Sequence, residues 1–378
     1  MLLPLINYFV ISDIHLGHDT TTSDMIIDHW KKFLSKYDKY LRKCKVFFIN
    51  GDIFDKLLVN GSYQHILAQS WLSLVILYCK KNNIKLRILE GTPSHDWKQS
   101  QVVYKIVQQL GIEIDMKYID TVVIEEMQDL GINILYIPDE HKHKAEDTYQ
   151  EVLELLKEKH LQKVDLTMMH GQFHYQLPMV TVPSSHNERS YLDITEHYIH
   201  VGHIHTFSTY ERIIANGSFD RLANGEEEDK GGIFATICDN KENDQFIFLI
   251  NENASIYKTY DYTKITIEEI RERIHKDIKA LSKGSNIRIL TNGIDNIQKH
   301  NKEFKLAYPD YNIKLEKKTE KNKESNDTTL ITYNEHDGLA ITEDNIVELL
   351  HKELKTEEYN SNDLKILTEE LNACISSL

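Results

Sequence analysis

The sequence predicts an α/β protein: two β-sheets flanked by helices, followed by a small unit in which helix and strand alternate. Two observations predict it. Short apolar runs recur along the first part of the chain, and longer stretches with helical spacing separate them, the pattern of strands alternating with helices. Beyond them, residues 263–318 read as helix, strand, helix, strand.

The first run is 8–11, Tyr8-Phe9-Val10-Ile11, and the second is 46–50, Val46-Phe47-Phe48-Ile49-Asn50. A third covers 86–89, a fourth 166–169 and a fifth 198–201. Each reads as a buried strand. Helical spacing covers 64–81, 99–110 and 144–160, and further strands near 121–125, 132–136, 213–216, 232–238 and 246–250 would complete two sheets. In the second unit Ile267, Ile270, Ile274, Ile278 and Leu281 recur at helical intervals. Gly284 then interrupts the pattern, and 287–290, 294–306 and 311–315 read as strand, helix and strand. The reading divides the chain at 1–262, 263–318, a charged linker over 319–340 that is already polar from Lys317, and a helical segment over 341–378.

Composition bounds the function. The chain has 378 residues, a formal net charge of −15 and an ordinary hydrophobic share of 41%. That acidity argues against a DNA binder driven by electrostatics alone. Basic clusters exist at Arg42-Lys43-Cys44-Lys45, at Lys80-Lys81 and over 314–323. No run of about 18 apolar residues is present, so no membrane span is expected. The start, Met1-Leu2-Leu3-Pro4, carries no basic region or cleavage site, so no signal peptide is expected. Cys44, Cys79, Cys238 and Cys374 are scattered with no C-x-x-C pair. They read as free thiols in a reducing cytoplasm.

Each of the first five runs delivers polar residues just beyond its end: Asp13 and His15, Asp52, His95 with Asp96, His170, and His203 with His205. One strand ending in a polar residue is commonplace, but five ending in Asp or His point to one shared site. Ligands lie beyond strand carboxyl ends in an open α/β sheet. A D-x-H pair puts both side chains on one side of the chain. Three or four oxygens with four of these imidazoles as ligands suit a pair of hard-to-borderline divalent metals better than a single zinc. Two such ions, about 3.5–4 Å apart, clamp the attacking and leaving oxygens of a phosphoester, so the pattern points to phosphoester hydrolysis.

Asp13-Ile14-His15, Gly51-Asp52-Ile53-Phe54-Asp55, Gly91-Thr92-Pro93-Ser94-His95-Asp96, His170-Gly171 and Gly202-His203-Ile204-His205 stand in an order that resembles the calcineurin-like metallophosphoesterases. Gly217-Ser218 with Arg221, Glu227, Glu228 and Lys230-Gly231 is similar to a stretch of SbcD-type DNA double-strand-break repair nucleases, as is Tyr136-Ile137-Pro138-Asp139-Glu140. The resemblance covers about 7–240 and implies the two-sheet metallophosphoesterase sandwich.

It also implies a division of labour between two divalent ions, with manganese as the expected metal. Asp13, His15, Asp52 and His205 would hold one ion; Asp52 would bridge to a second held by Ser94, His170 and His203. The family has Asn where this chain has Ser94, and a hydroxyl is a shorter, weaker ligand than an amide carbonyl, so two unequal sites are expected. His95 would protonate the leaving 3′-oxygen as general acid, and Asp96 would orient and charge-stabilise its ring. Asp55 is a candidate acceptor for a ligand imidazole or, equally, a helix N-cap. His174, His186, His197 and His200 read as solvated loop residues.

The resemblance implies a manganese-dependent DNA nuclease, exonuclease and endonuclease, acting in DNA end processing or recombination. The 263–318 unit would cap the site and touch DNA. Ile346, Leu349, Leu350 and Leu354, then Leu364, Leu367, Leu371 and Ile375, line two amphipathic helices, which in the resembled family dock on an SMC-like ATPase of the SbcC type. The resemblance also implies a homodimer through Ile66, Leu67, Trp71, Leu72, Leu74, Val75 and Tyr78 of the 64–81 helix, with Val102, Val103, Ile106 and Val107 beside it; in the other reading both are ordinary sheet-covering helices. The other readings are a phosphatase or nucleotide phosphodiesterase, and a weakly active scaffold subunit.

Overall fold

The computed structural model describes residues 5–177, 183–292 and 296–318. β1 (Ile6–Ile11), α1 (Ser23–Leu41), β2 (Val46–Asn50), α2 (Tyr63–Asn82), β3 (Lys85–Leu89), α3 (Pro93–Asp96), α4 (Val102–Leu110) and β4 (Met116–Ile119) come first. Next are β5 (Val123–Met127), β6 (Ile132–Ile137), α5 (Ala145–Glu158), β7 (Leu166–His170), α6 (Glu188–Ile194) and β8 (Ile199–Gly202). β9 (Ser208–Tyr210), β10 (Ile213–Ala215), β11 (Gly231–Ile237) and β12 (Gln245–Ile250) follow. Last come β13 (Tyr257–Asp261), α7 (Ile267–Asp277), β14 (Asn286–Thr291), α8 (Ile297–Ala307) and β15 (Asn312–Lys317).

Two six-stranded mixed sheets stack face to face. One has the order β12-β11-β1-β2-β3-β4, the other β5-β6-β7-β8-β10-β9. Strands β1 to β4 are parallel, as are β6, β7, β8 and β10; β11, β12, β5 and β9 pair antiparallel. Strand periodicity sorts the side chains. Tyr8, Val10, Val46 and Phe48 meet Ile134, Tyr136, Leu166 and Met168 between the sheets. Phe9, Ile11, Phe47 and Ile49 turn the other way, toward Trp30 of α1 and Trp71 of α2. On the far side, Leu135, Ile137 and Val201 pack on Val152 of α5 and Tyr191 of α6. The layers are helix, sheet, sheet, helix: an α/β sandwich of two sheets flanked by helices, as the sequence predicts.

Local chemistry supports the elements. The Ser62 hydroxyl accepts the His65 N–H to cap α2, and Asn83 ends that helix in the left-handed region at φ 54°. α7 opens with a reciprocal Thr266–Glu269 capping box.

The small unit is a parallel sheet, β13-β14-β15, with α7 and α8 as its crossovers. Its first strand, Tyr257–Asp261, precedes residue 263, where the sequence reading starts the unit, and Lys317, read as the start of polar linker, ends β15. The sequence does not announce β13, because Tyr257-Lys258-Thr259-Tyr260-Asp261 carries too few apolar residues to read as a run. α1 and β4 are also absent from the reading. The linker over 319–340, the helical segment over 341–378 and Cys374 lie outside the described residues. Cys44 and Cys79 are buried free thiols, and burial pushes both thiol pKa values up. No described helix is long and apolar enough to cross a membrane.

Candidate metal centre

The carboxyl ends of the parallel strands in both sheets converge. β1 leads into Asp13, β2 into Asp52, β3 into Thr92, β7 ends in His170 and β8 leads into His203. The loops are stitched by the backbone: Asp13 N–H donates to the Gly51 carbonyl at 3.1 Å, His15 N–H to that of Asp52 at 3.1 Å, and Gly171 N–H to that of Gly202 at 3.2 Å. Four of the residues concerned hold left-handed backbone: Asp13 (φ 53°), His15 (φ 54°), Asp52 (φ 50°) and His203 (φ 100°). Such strain persists where surrounding structure over-determines it, and it clusters at functional sites.

Close packing explains the glycines. A Cβ on Gly91 would sit 2.1 Å from the Asp52 backbone nitrogen, and one on Gly51 would sit 2.2 Å from His170 Nδ1. Only glycine lets these backbones approach so near.

Side chains gather in overlapping groups able to hold an ion: Asp13, His15 and His205; His15, Asp52 and His95; Asp52, His170 and His203. Asp52 belongs to two of them. Its Oδ2 lies 3.3 Å from His170 Nε2 and 3.8 Å from His15 Nε2. His15 Nε2 and His205 Nε2 face each other at 3.1 Å, and Asp13 Oδ1 is 3.9 Å from His205 Nε2 and 4.0 Å from His170 Nε2.

The rings are oriented from behind. His170 Nδ1–H donates to the Asn50 carbonyl at 2.6 Å. His205 Nδ1 bonds Glu226 Oε1 at 2.9 Å, and His15 Nδ1 is 3.4 Å from Asp55 Oδ1. In His170 and His205 an acceptor stands at Nδ1 while Nε2 faces the cluster, the usual support for a metal-ligating imidazole.

Charge balance tells the same story. Burial alone would lower the His15 pKa, but Asp55, Asp52 and Asp13 raise it. His170 is raised well above its ordinary value against burial, chiefly by Asp52. Burial pushes the Asp139 carboxyl up, but His203 and His170 hold it at about 2. Buried carboxylates pulling neutral rings toward imidazolium mark a cavity short of positive charge. Divalent cations supply that charge, so the donor set fits a metal pair.

The sequence reading puts Ser94 at this cluster, and the structure does not. Ser94 is exposed on α3, and its carbonyl accepts the Trp97 indole N–H at 2.6 Å. Thr92 takes the position instead. It is buried; its hydroxyl donates to Asp139 Oδ2 at 3.0 Å and lies 3.2 Å from both Asp52 Oδ2 and His203 Nδ1. Pro93 and Ser94 are exposed in the turn of α3 that follows Thr92. Thr92→Ala should weaken one metal site by about tenfold, as loss of a ligand-supporting contact does. Ser94→Ala should leave both affinities unchanged. Manganese titration calorimetry on the two variants separates them.

Asp96 also departs from expectation. It is fully buried, and its oxygens accept the Phe54 N–H at 2.9 Å and the Gly91 N–H at 2.8 Å. Burial, then Asp52 and Glu90, push its pKa up to about 8. A carboxyl so placed clamps the β2 and β3 loops together rather than lending charge to His95.

Glu226 is absent from the sequence reading, and Asp139 stands there only as part of the 136–140 motif, with no role at the site. Asp139 follows β6 as the other ligands follow their strands, so a signal for it exists. Glu226 sits in an irregular loop beside Glu227 and Glu228, with no pattern to single it out. It takes His205 Nδ1 on one oxygen; on the other it accepts the Leu222 N–H at 3.0 Å and meets Lys230 Nζ at 3.2 Å. Lys230 is itself buried and bonds Glu228 at 2.7 Å and the His205 carbonyl at 2.9 Å. Glu226→Gln should cost about 10- to 100-fold in affinity at the His205 site, read by chelator competition, with thermal melting checking that the fold survives.

The other histidines are mostly structural rather than solvated. His200 is fully buried between Tyr8 OH (3.0 Å) and Asn216 (3.1 Å), and burial lowers its pKa to about 4. His186 bonds Tyr191 OH at 3.0 Å, and burial lowers it likewise to about 4. His197 pairs with Asp244 at 2.6 Å. His174 is half-buried. The basic residues of 42–45 and 80–81 lie where β2 and β3 begin, at the opposite edge of the sheet from the cluster.

No family model matches the chain, and no curated protein matches it. Among solved structures it is similar to the crystal structure of TT1561 of Thermus thermophilus, at a TM-score of 0.39 and 8% identity, over 65% of this chain and 100% of that one. A second crystal structure matches with a TM-score of 0.39 and 11% identity, over 66% of this chain and 100% of that chain.

Proposed function

We propose that the chain is a two-metal phosphodiesterase that cleaves DNA. The observation that carries the reading is Asp52, shared between two groups of imidazoles, with His15 Nε2 at 3.8 Å and His170 Nε2 at 3.3 Å from its Oδ2. Asp13, His15, Asp52 and His205 would hold one ion; Asp52, His170 and His203, supported by Thr92 and Asp139, would hold the other. Divalent ions there, manganese in this reading, would supply Lewis acidity toward the phosphoryl oxygens. His95 stands beside His15 and Asp52, with its ring centroid 5.0 Å from that of His15. From there it would give a proton to the departing 3′-oxygen.

DNA as substrate rests on the 217–231 stretch and its resemblance to repair nucleases. Arg221 there donates from Nε to the Glu228 carbonyl at 2.9 Å, so the motif builds the loop that carries Glu226. A role in end processing or recombination with an SbcC-type SMC-like ATPase, recruited by 341–378, belongs to the same reading, as does homodimerisation. Trp71, Leu72, Val75, Val103 and Ile106, offered for the dimer, are buried in the chain's own core; Tyr63, Ile66, Leu77 and Tyr104 remain exposed on α2 and α4. Light scattering at micromolar concentration tests the dimer.

The central experiment incubates the purified chain with linear DNA and with bis(4-nitrophenyl) phosphate, with manganese and with chelator. Metal-dependent cleavage of both supports the reading. Turnover of the small ester without DNA cleavage favours a phosphatase or nucleotide phosphodiesterase, and turnover of neither favours a scaffold. Truncation before residue 341 should abolish co-purification with the ATPase while preserving metal binding.

A further inference from the structure

We propose that Trp97 is a stacking platform for a nucleobase next to the scissile phosphate; the proposal rests on the phosphodiesterase reading above. The chain has three tryptophans. Trp30 and Trp71 are fully buried between α1, α2 and the first sheet, whereas Trp97 is 55% exposed. It contributes little to the core, so its large ring is not explained by packing.

Its surroundings hold it firmly nonetheless. The indole N–H donates to the Ser94 carbonyl at 2.6 Å, which fixes the ring against α3. Trp97 (φ 48°) and Lys98 (φ 55°) are consecutive residues in the left-handed region, where bulky side chains are strained. Neighbouring bonds enforce that conformation. The Lys98 N–H donates to buried Glu90 at 2.6 Å. Gln99 accepts the Leu58 N–H at 2.8 Å and donates to the Lys56 carbonyl at 3.1 Å, tying this turn to the loop that follows Asp55. An exposed aromatic ring held by a strained, over-determined turn is pre-organised for a ligand.

Position names the ligand. Trp97 is two residues from His95, so the two Cα atoms are less than about 7.6 Å apart. A strand whose phosphate sits at the metal centre would pass beside the turn that carries that ring. A base–aromatic stack tolerates any sequence and draws nothing from net charge, which matters for a chain with a formal charge of −15. The basic clusters at the far edge of the sheet do not serve this site; an aromatic contact beside it does.

The experiment titrates a short oligothymidylate into protein loaded with calcium, a divalent ion that takes oxygen ligands, and follows tryptophan emission. Saturable quenching is expected, because Trp97 is the exposed fluorophore, and Trp97→Phe should lose the quench while keeping KM for the oligonucleotide within about threefold. Trp97→Ala should raise that KM by roughly 5- to 100-fold, the range of one lost stack, with a smaller change in kcat. Emission unchanged by oligonucleotide, or a wild-type KM in the alanine variant, overturns the proposal. So does an emission shift that follows protein concentration instead, which assigns the ring to a second copy of the chain. Wild-type turnover of bis(4-nitrophenyl) phosphate is scored separately: its absence sinks the phosphodiesterase reading, while the binding titration still decides on Trp97.

Discussion

Asp52→Ala should remove both equivalents of bound manganese and bring phosphodiester hydrolysis to background, the largest single effect expected at this site. Asp52 is the one carboxylate common to the His15 and the His170–His203 groups. Burial alone would raise its pKa, yet His170, His15 and His95 hold it well below the ordinary carboxylate range. Its other oxygen, Oδ1, accepts the Thr92 N–H at 2.6 Å, so the carboxylate is aimed as well as charged. Removing it leaves the four imidazoles of His15, His95, His170 and His203 with no shared anion between them. Asp13→Ala should be milder, because Asp13 appears in a single group and His170 and His203 keep their own carboxylates. Calorimetric titration with manganese checks both. Two full equivalents on Asp52→Ala would show that the two groups do not share a bridging ligand.

The sequence makes the framework legible because parallel strands buried on both faces must be continuous apolar runs, and such runs are hard to confuse when each ends in Asp or His. It misleads where linear order and spatial order part. Counting back from His95-Asp96, as the resembled motif is written, selects Ser94. Counting forward from the strand finds Thr92: Gly51-Asp52, Gly91-Thr92 and Gly202-His203 place a functional side chain directly after a glycine at a strand end. The glycine is needed for close approach, so it is the better landmark. Asp96 misleads for a related reason. Adjacent residues in a motif suggest adjacent roles, but one turn of α3 sends Asp96 inward to backbone N–H groups while His95 stays half-buried at the cluster. Glu226 has no signal in the sequence, since only the fold brings it to His205.

His95→Asn should lower kcat on DNA by roughly 10²- to 10⁴-fold, the usual contribution of a positioned acid, while manganese stoichiometry stays at the wild-type value. The structure makes this a sharper test than the motif alone does. His95 lies close enough to His15 and Asp52 that the three could share an ion, so ligand and acid are both geometrically open to it. Burial lowers its pKa, with Asp52 opposing; a ring so poised gives up a proton readily once one is placed on it. The two roles separate by leaving group. An alkoxide such as a 3′-oxygen needs the proton, whereas 4-nitrophenolate leaves without it. If His95 is the acid, the loss on bis(4-nitrophenyl) phosphate should be far smaller than the loss on DNA. If His95 is a ligand, both substrates should suffer alike and bound manganese should fall with them. Asp96→Asn should behave differently again. One of its two loop-clamping acceptors becomes an amide donor facing an N–H, so the variant should melt at lower temperature, with any loss of activity tracking the loss of fold.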